Sequence, residues 1–173
     1  MLKTEKIGRF FTRNHKGVIQ KMSRMNRFLS DLRYEGKSCY GRNLKKAEIL
    51  FETLREELSQ DMEFEEEALF PYLRVHLPKL EFMIHVLQEE HEALERRLGN
   101  FGSLLQALSK KENGAARIRL IDKMRKKGNY LNYFLHQHTW AEQESVYRAV
   151  DMELSGNEKG ELGRRLAEFR VNV

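Results

Sequence analysis

Residues 47–68 read AEILFETLREELSQDMEFEEEA, and their inward positions step alternately by four and three through Ala47, Phe51, Leu54, Leu58, Asp61, Glu65 and Ala68. That stepping keeps one face of an α-helix pointing the same way. The stripe starts as hydrocarbon and then admits two acids. A globular core excludes carboxylates unless a proton, a partner or an ion compensates them. The stretch therefore predicts a helix packed in a bundle with something positively charged held inside it.

Three further segments repeat the pattern. The first runs Phe11, His15, Val18, Met22, Met25, Leu29 and Leu32; the third Leu80, Ile84, Leu87, His91, Leu94, Leu98, Phe101, Leu105 and Leu108. The fourth runs Ile121, Met124, Gly128, Leu131, Leu135, His138, Glu142, Ser145 and Ala149. In each, the residues that break the apolar stripe are metal-ligand types. Their heights agree as well: about 20 residues separate His15 from the first turn and about 19 separate that turn from Asp61, which at roughly 1.5 Å of rise per residue is one level. The distances from Glu65, His91 and His138 to the turns beside them bring all six side chains within about one helical turn.

Helix one is expected over 6–35, helix two over 43–75, helix three over 79–109 and helix four over 115–153. Pro78 suits a helix start, where its missing N–H costs nothing. Gly36 to Gly41 reads as a turn holding Cys39, and Asn113-Gly114 as another. The fold class is all-α, an antiparallel up-down four-helix bundle. Residues 1–153 form the bundle and 154–173 a tail whose Leu162, Leu166 and Phe169 stripe makes a short amphipathic capping helix.

Composition narrows the function classes. One cysteine in 173 residues excludes an intrachain disulfide and any zinc site built on paired cysteines. The formal charge is +5, but basic residues alternate with acids, as in Arg55-Glu56-Glu57 and Glu95-Arg96-Arg97, which is the pattern of solvated helix faces. The basic run from Lys123 to Lys127 lacks interleaved aromatics, so no nucleic-acid partner is expected. The N-terminus has no leader pattern, and no stretch approaches the roughly 18 apolar residues of a membrane helix. No membrane partner is expected, and the cytoplasm is the expected location.

Asp61 and Glu65, like His138 and Glu142, are four residues apart and share a helix face, with about 5–6 Å between their Cβ atoms. Two such pairs on facing helices can hold two metal ions side by side. A carboxylate has two oxygens and can bridge; an imidazole ligates through one nitrogen and fixes its ring by hydrogen-bonding the other. Mixed oxygen and nitrogen donors without thiolate favour iron or manganese over a structural zinc, although ligand type alone does not exclude zinc.

The stretch Asp61-Met62-Glu63-Phe64-Glu65-Glu66-Glu67-Ala68-Leu69-Phe70-Pro71 resembles the HxxxEExxLFP stretch of the haemerythrin-like (HHE cation-binding) domain family. Glu90-His91 is similar to that family's third-helix Glu-His, His138-Thr139-Trp140-Ala141-Glu142 to its second HxxxE, and His15 to its first-helix histidine. The resemblance covers roughly residues 6–153. It implies a four-helix bundle around a non-haem di-iron centre, the two irons bridged by an oxo or hydroxo group and by Glu65 and Glu142, with His15, His91 and His138 as terminal ligands. Members carry or sense O₂, respond to nitric oxide or peroxide, or repair iron–sulfur clusters. An electron-donor protein is a further partner this implies.

Two departures shape the expected chemistry. Leu87 stands where oxygen-carrying members have the first histidine of HxxxH in helix three, and Glu142 follows His138 by four residues where they have an aspartate at five. Asp61 stands where the family has a histidine: it could bind metal, hold a coordinated water or leave one ion with a vacancy. As a ligand it would add negative charge that stabilises the diferric state, disfavouring reversible oxygen carriage. His76, in a turn, His85, beside the seam, and His136, pointing roughly 200° from His138, are read as non-ligands. Three classes of function follow: a di-iron protein that binds or senses O₂, nitric oxide or peroxide, with Phe11, Val18, Leu58, Leu87 and Leu135 as a dry ligand pocket; a redox or iron–sulfur-repair enzyme on the same centre, with Tyr133 or Tyr147 as radical or proton donor; or a metal-free interaction bundle.

Overall fold

In a computed structural model, residues 7–34, 37–110 and 114–172 are described, with side chains over 15–34, 40–110 and 114–169. These residues are almost wholly helical and contain no strand. Helix α1 spans Ile7–Tyr34, α2 Lys37–Phe64, α3 Phe70–His76, α4 Glu81–Ser109, α5 Ala115–Glu142, α6 Arg148–Glu153 and α7 Gly156–Asn172. A π turn, Glu65–Leu69, joins α2 to α3, and a second, Gln143–Tyr147, joins α5 to α6. The fold class is all-α, as the four stripes predict. Helix α2 begins six residues earlier than the sequence suggests, running through Gly41, whose cost of about 1 kcal/mol in a helix is tolerated. The side chains of Phe11 and Cys39 lie outside the described residues.

The chain divides into two compact units, one of Gly17–Glu57 with Ala93–His136, the other of Met1–Lys16 with Leu58–Glu92 and Gln137–Val173. In the Gly17–Glu57 unit the predicted seams are buried hydrocarbon throughout, from Val18, Met22 and Met25 to Leu131 and Leu135. Phe51 meets Phe101 at 5.3 Å between ring centroids, and Gly102 makes room for it, since a Cβ there would lie 2.9 Å from the Phe51 ring. Chain direction is recorded at the margins. Arg33 Nε bonds Asp122 at 3.0 Å, while Ser23, earlier in α1, reaches Asn132, later in α5, at 3.4 Å. The two helices are antiparallel. Gly114, at the start of the second hairpin, has φ +130°, a conformation in which a Cβ would be strained.

The other unit has its own apolar core, built around Phe64, Leu69, Phe70, Leu73, Ile84, Val146 and Val150. Each π turn adds one residue to its helix and so rotates everything downstream by about 100°. Val146 and Tyr147 are therefore buried where the uninterrupted stripe would place Ser145, which is half-buried and donates to the Ala141 carbonyl at 2.5 Å. Helix α7 is longer than expected and packs on this core through Leu162, Leu166 and Phe169. It starts with a capping box: Glu158 N–H donates to Ser155 Oγ at 3.3 Å and Ser155 N–H to the Glu158 carboxylate at 2.7 Å. Bonds from Ser155 and from His76 hold that carboxyl down at about 2.

Candidate metal centre

Five of the six predicted side chains meet inside the Met1–Lys16, Leu58–Glu92 and Gln137–Val173 unit. His15 of α1, Glu65 at the first π turn, His91 of α4, and His138 and Glu142 at the end of α5 are all buried, none more than 8% exposed. The sixth, Asp61, is half-buried. It lies at the margin of the stripe, and its charge is felt at the Tyr147 hydroxyl.

Glu142 is shared by two groups of donors. Its Oε1 lies 2.9 Å from His138 Nε2 and 3.5 Å from His91 Nε2, and its Oε2 lies 3.4 Å from His15 Nδ1. Glu65 divides in the same way, with Oε2 3.3 Å from His91 Nε2 and Oε1 3.9 Å from His15 Nε2. Each carboxylate thus directs one oxygen to the His91 side and the other to the His15 side. The groups His91–His138–Glu142 and His15–Glu65–Glu142 are each compact enough to hold an ion.

Two acids that the stripes do not reveal orient the imidazoles. His91 Nδ1 pairs with Glu66 Oε1 at 2.6 Å and His138 Nδ1 with Glu90 Oε2 at 2.8 Å. Engaging Nδ1 leaves Nε2 directed inward, the arrangement in which an outer carboxylate sets the tautomer and raises the basicity of a metal-binding histidine. Phe70 stacks on His91 at 5.9 Å, which limits rotation of the ring. Both acids were in plain view in the sequence, beside Glu65 and His91, but their partners lie on other helices.

His91 Nε2 and both oxygens of Glu142 are buried and have no aligned hydrogen-bond partner, although charges lie close by. Leaving such groups unsatisfied costs on the order of 1–3 kcal/mol each, and more when they are charged. A cation at these atoms would satisfy all three. Without one, protons take its place. Burial alone would pull His91 down, but Glu142, Glu65 and Glu66 outweigh it and raise it to about 10. His138 rises in the same way to about 9 through Glu142 and Glu90. Burial pushes Glu142 up, yet His138, His91 and His15 hold it well below the carboxylate range, whereas burial and the charge of Glu142 raise Glu65. The donors are oxygen and imidazole nitrogen with no thiolate, a set suited to iron, manganese or zinc.

Tyr147 completes the lining. It is 2% exposed, turned inward by the second π turn; its Oη donates to Glu65 Oε1 and lies 3.5 Å from His15 Nε2. Tyr133, the other tyrosine named from the sequence, is 62% exposed. His85 is exposed and faces Glu89, His136 is exposed, and His76 ends α3 rather than sitting in a turn, with its ring on Tyr72 and its Nδ1 on Glu158.

Residues 7–127 match the family model of the Hemerythrin HHE cation binding domain. The chain belongs to that family. It is a metal-binding helical bundle, as the HHE family and the two donor groups together indicate. The matched span ends before His138 and Glu142, so the α5 half of this HHE centre rests on the geometry and the HxxxE spacing. No curated protein matches the chain. No helix among the described residues is long and apolar enough to cross a membrane.

Proposed function

We propose that this HHE protein is a non-haem di-iron protein that binds, senses or responds to O₂, nitric oxide or peroxide. The observation that carries the reading is the division of Glu65 and Glu142, each with one oxygen towards His91 and one towards His15. Two carboxylates arranged in this way suit a pair of ions better than a single one. His15, Glu65, His91, His138 and Glu142 would hold the irons, and Asp61, whose charge is felt at Tyr147, would act as a further ligand or hold a water. Iron supplies one-electron chemistry and an affinity for small diatomic ligands and peroxide.

The chain's own residues set the conditions for that chemistry. Glu66 and Glu90 keep the two Nε2 atoms aimed inward. Leu58, Leu69, Leu87 and Phe70 are buried in the same unit, and such hydrocarbon keeps water from competing for an open position. The Tyr147 hydroxyl donates a hydrogen bond to Glu65. The carboxylate-rich His15 side, with Asp61 close by, favours the higher-charged ferric state and works against reversible oxygen carriage.

The test is elemental analysis of protein purified with iron available, with optical spectra before and after azide and O₂. About two irons per chain with ligand-to-metal bands are expected. Sub-stoichiometric zinc, or no metal, overturns the reading. Steady turnover of peroxide or nitric oxide with a reductant would make it an enzyme rather than a stoichiometric sensor.

A further inference from the structure

The segments Asp61–Phe70 and His138–Tyr147 are built to one plan. In each, a potential ligand (Asp61, His138) precedes a buried glutamate (Glu65, Glu142) by four residues, and a π turn brings an aromatic residue five places after that glutamate into the interior. The aromatic is Phe70 in the first and Tyr147 in the second. Phe70 stacks on His91, and Tyr147 lies against His15 at 5.7 Å. The plan is the same but the chemistry is not, because Phe70 presents only carbon whereas Tyr147 presents an oxygen.

That oxygen is on the side with fewer imidazoles. The His91 side has two imidazoles, with His138 Nε2 2.9 Å from Glu142 Oε1. The His15 side has one imidazole, and Asp61 stands where the matching segment has His138. Tyr147 Oη is in contact with Glu65 Oε1 and 3.5 Å from His15 Nε2, both donors of that side. It is buried, held by a helix, and aimed at the atoms an ion would occupy.

We propose that Tyr147 is a metal ligand, its Oη joining His15, Glu65 and Glu142 around one ion, so that the two ions differ: one has two imidazoles, the other one imidazole and a phenolate. The proposal rests on the di-iron reading above. When Tyr147 binds iron(III), its O–H bond is replaced by an O–Fe bond, the proton leaves to solvent water, and no electron moves. The resulting oxygen-rich position suits the harder ferric ion. A phenolate-to-iron band requires ferric iron at this oxygen, so the signature must track the metal.

The experiment uses the full chain, loaded anaerobically with two equivalents of ferrous iron and then oxidised in air. Iron per chain, visible absorption and resonance Raman spectra are compared for wild type, Tyr147→Phe and Tyr72→Phe; Tyr72 is the other tyrosine of the unit and bonds the Glu158 carbonyl at 3.0 Å. Wild type should show a phenolate-to-iron charge-transfer band with enhanced ring modes that shift on ring-deuteration of tyrosine. Tyr147→Phe should lose band and modes while keeping at least one iron per chain, and Tyr72→Phe should keep both. Wild type with its full iron content but no phenolate modes overturns the proposal, whether or not the variants fold, and leaves the di-iron reading standing. So does a Tyr147→Phe spectrum equal to wild type. Failure of wild type to hold iron removes the di-iron reading and this ligand with it.

Discussion

The two compact units are cut from the same long helices, yet their interiors differ in kind. The Gly17–Glu57 and Ala93–His136 unit fills its seams with Met22, Met25, Leu29, Phe51, Leu54 and Phe101, and no carboxylate or imidazole is buried among its described residues. The other unit keeps the same helical stepping but buries His15, Glu65, His91, His138 and Glu142. Periodicity alone therefore decides that helices pack, not what they pack around. The hydrocarbon interior is stable in itself, whereas the acid–imidazole interior needs protons or cations to balance it.

The comparison breaks most completely at Glu142. Glu142→Gln removes a charge common to both donor groups, and bound iron measured by elemental analysis should fall from about two per chain to less than one, with helicity by circular dichroism retained. Removal of outer partners alone typically costs about 10–100-fold in metal affinity, and loss of a shared inner donor should exceed that. Full iron content in this variant would show that the groups do not depend on Glu142.

The counterpart in the hydrocarbon unit is Phe51→Ala. Emptying the space between Phe101 and Gly102 should cost about 3–5 kcal/mol in urea unfolding. Iron per folded chain should stay as in wild type. A variant that lost iron while keeping its stability would reverse the distinction drawn between the units.

Acidity gives the finest separation. His91 and His138 sit at about 10 and about 9, above the ordinary imidazole value of 6.5, so their contribution to metal-free stability is complete below 6.5 and is lost as pH rises through 9 and 10. Glu142 is lowered, so its contribution is present above 4.5 and is lost as pH falls. Metal must displace the two imidazole protons. Apparent affinity should therefore climb by up to about a hundredfold per pH unit between 7 and 9, by about tenfold between 9 and 10, and flatten above 10, as read by competition with a chelator of known pH dependence. An affinity independent of pH over that range would mean that the histidines are already neutral in the metal-free state.

His15, Glu65, His91, His138 and Glu142 could be read from the sequence because each occupies a seam position, and a 3.6-residue period carries that information without knowledge of any neighbour. The same logic placed Asp61 on the seam, where it is half-buried, because a position at the margin of a helix contact is covered only in part. Ser145 and Tyr147 were exchanged for a different reason. A π turn inserts a residue without changing the local composition, so the period fails just where the site begins, at Glu65 and after Glu142. Glu66 and Glu90 were legible as residues but not as partners, since the histidines they orient arrive from other helices.

By itself, the sequence determined that the chain is helical, which faces are buried and that ligand-type side chains share one level, because these depend on spacing along a single helix. Only the tertiary structure decided that Glu65 and Glu142 each divide their oxygens between two groups, that Glu66 and Glu90 steer the imidazoles, and that Tyr147 rather than Tyr133 enters the site. Those outcomes depend on rotations of about 100° at two π turns and on contacts between segments distant in the chain, neither of which is encoded in local periodicity.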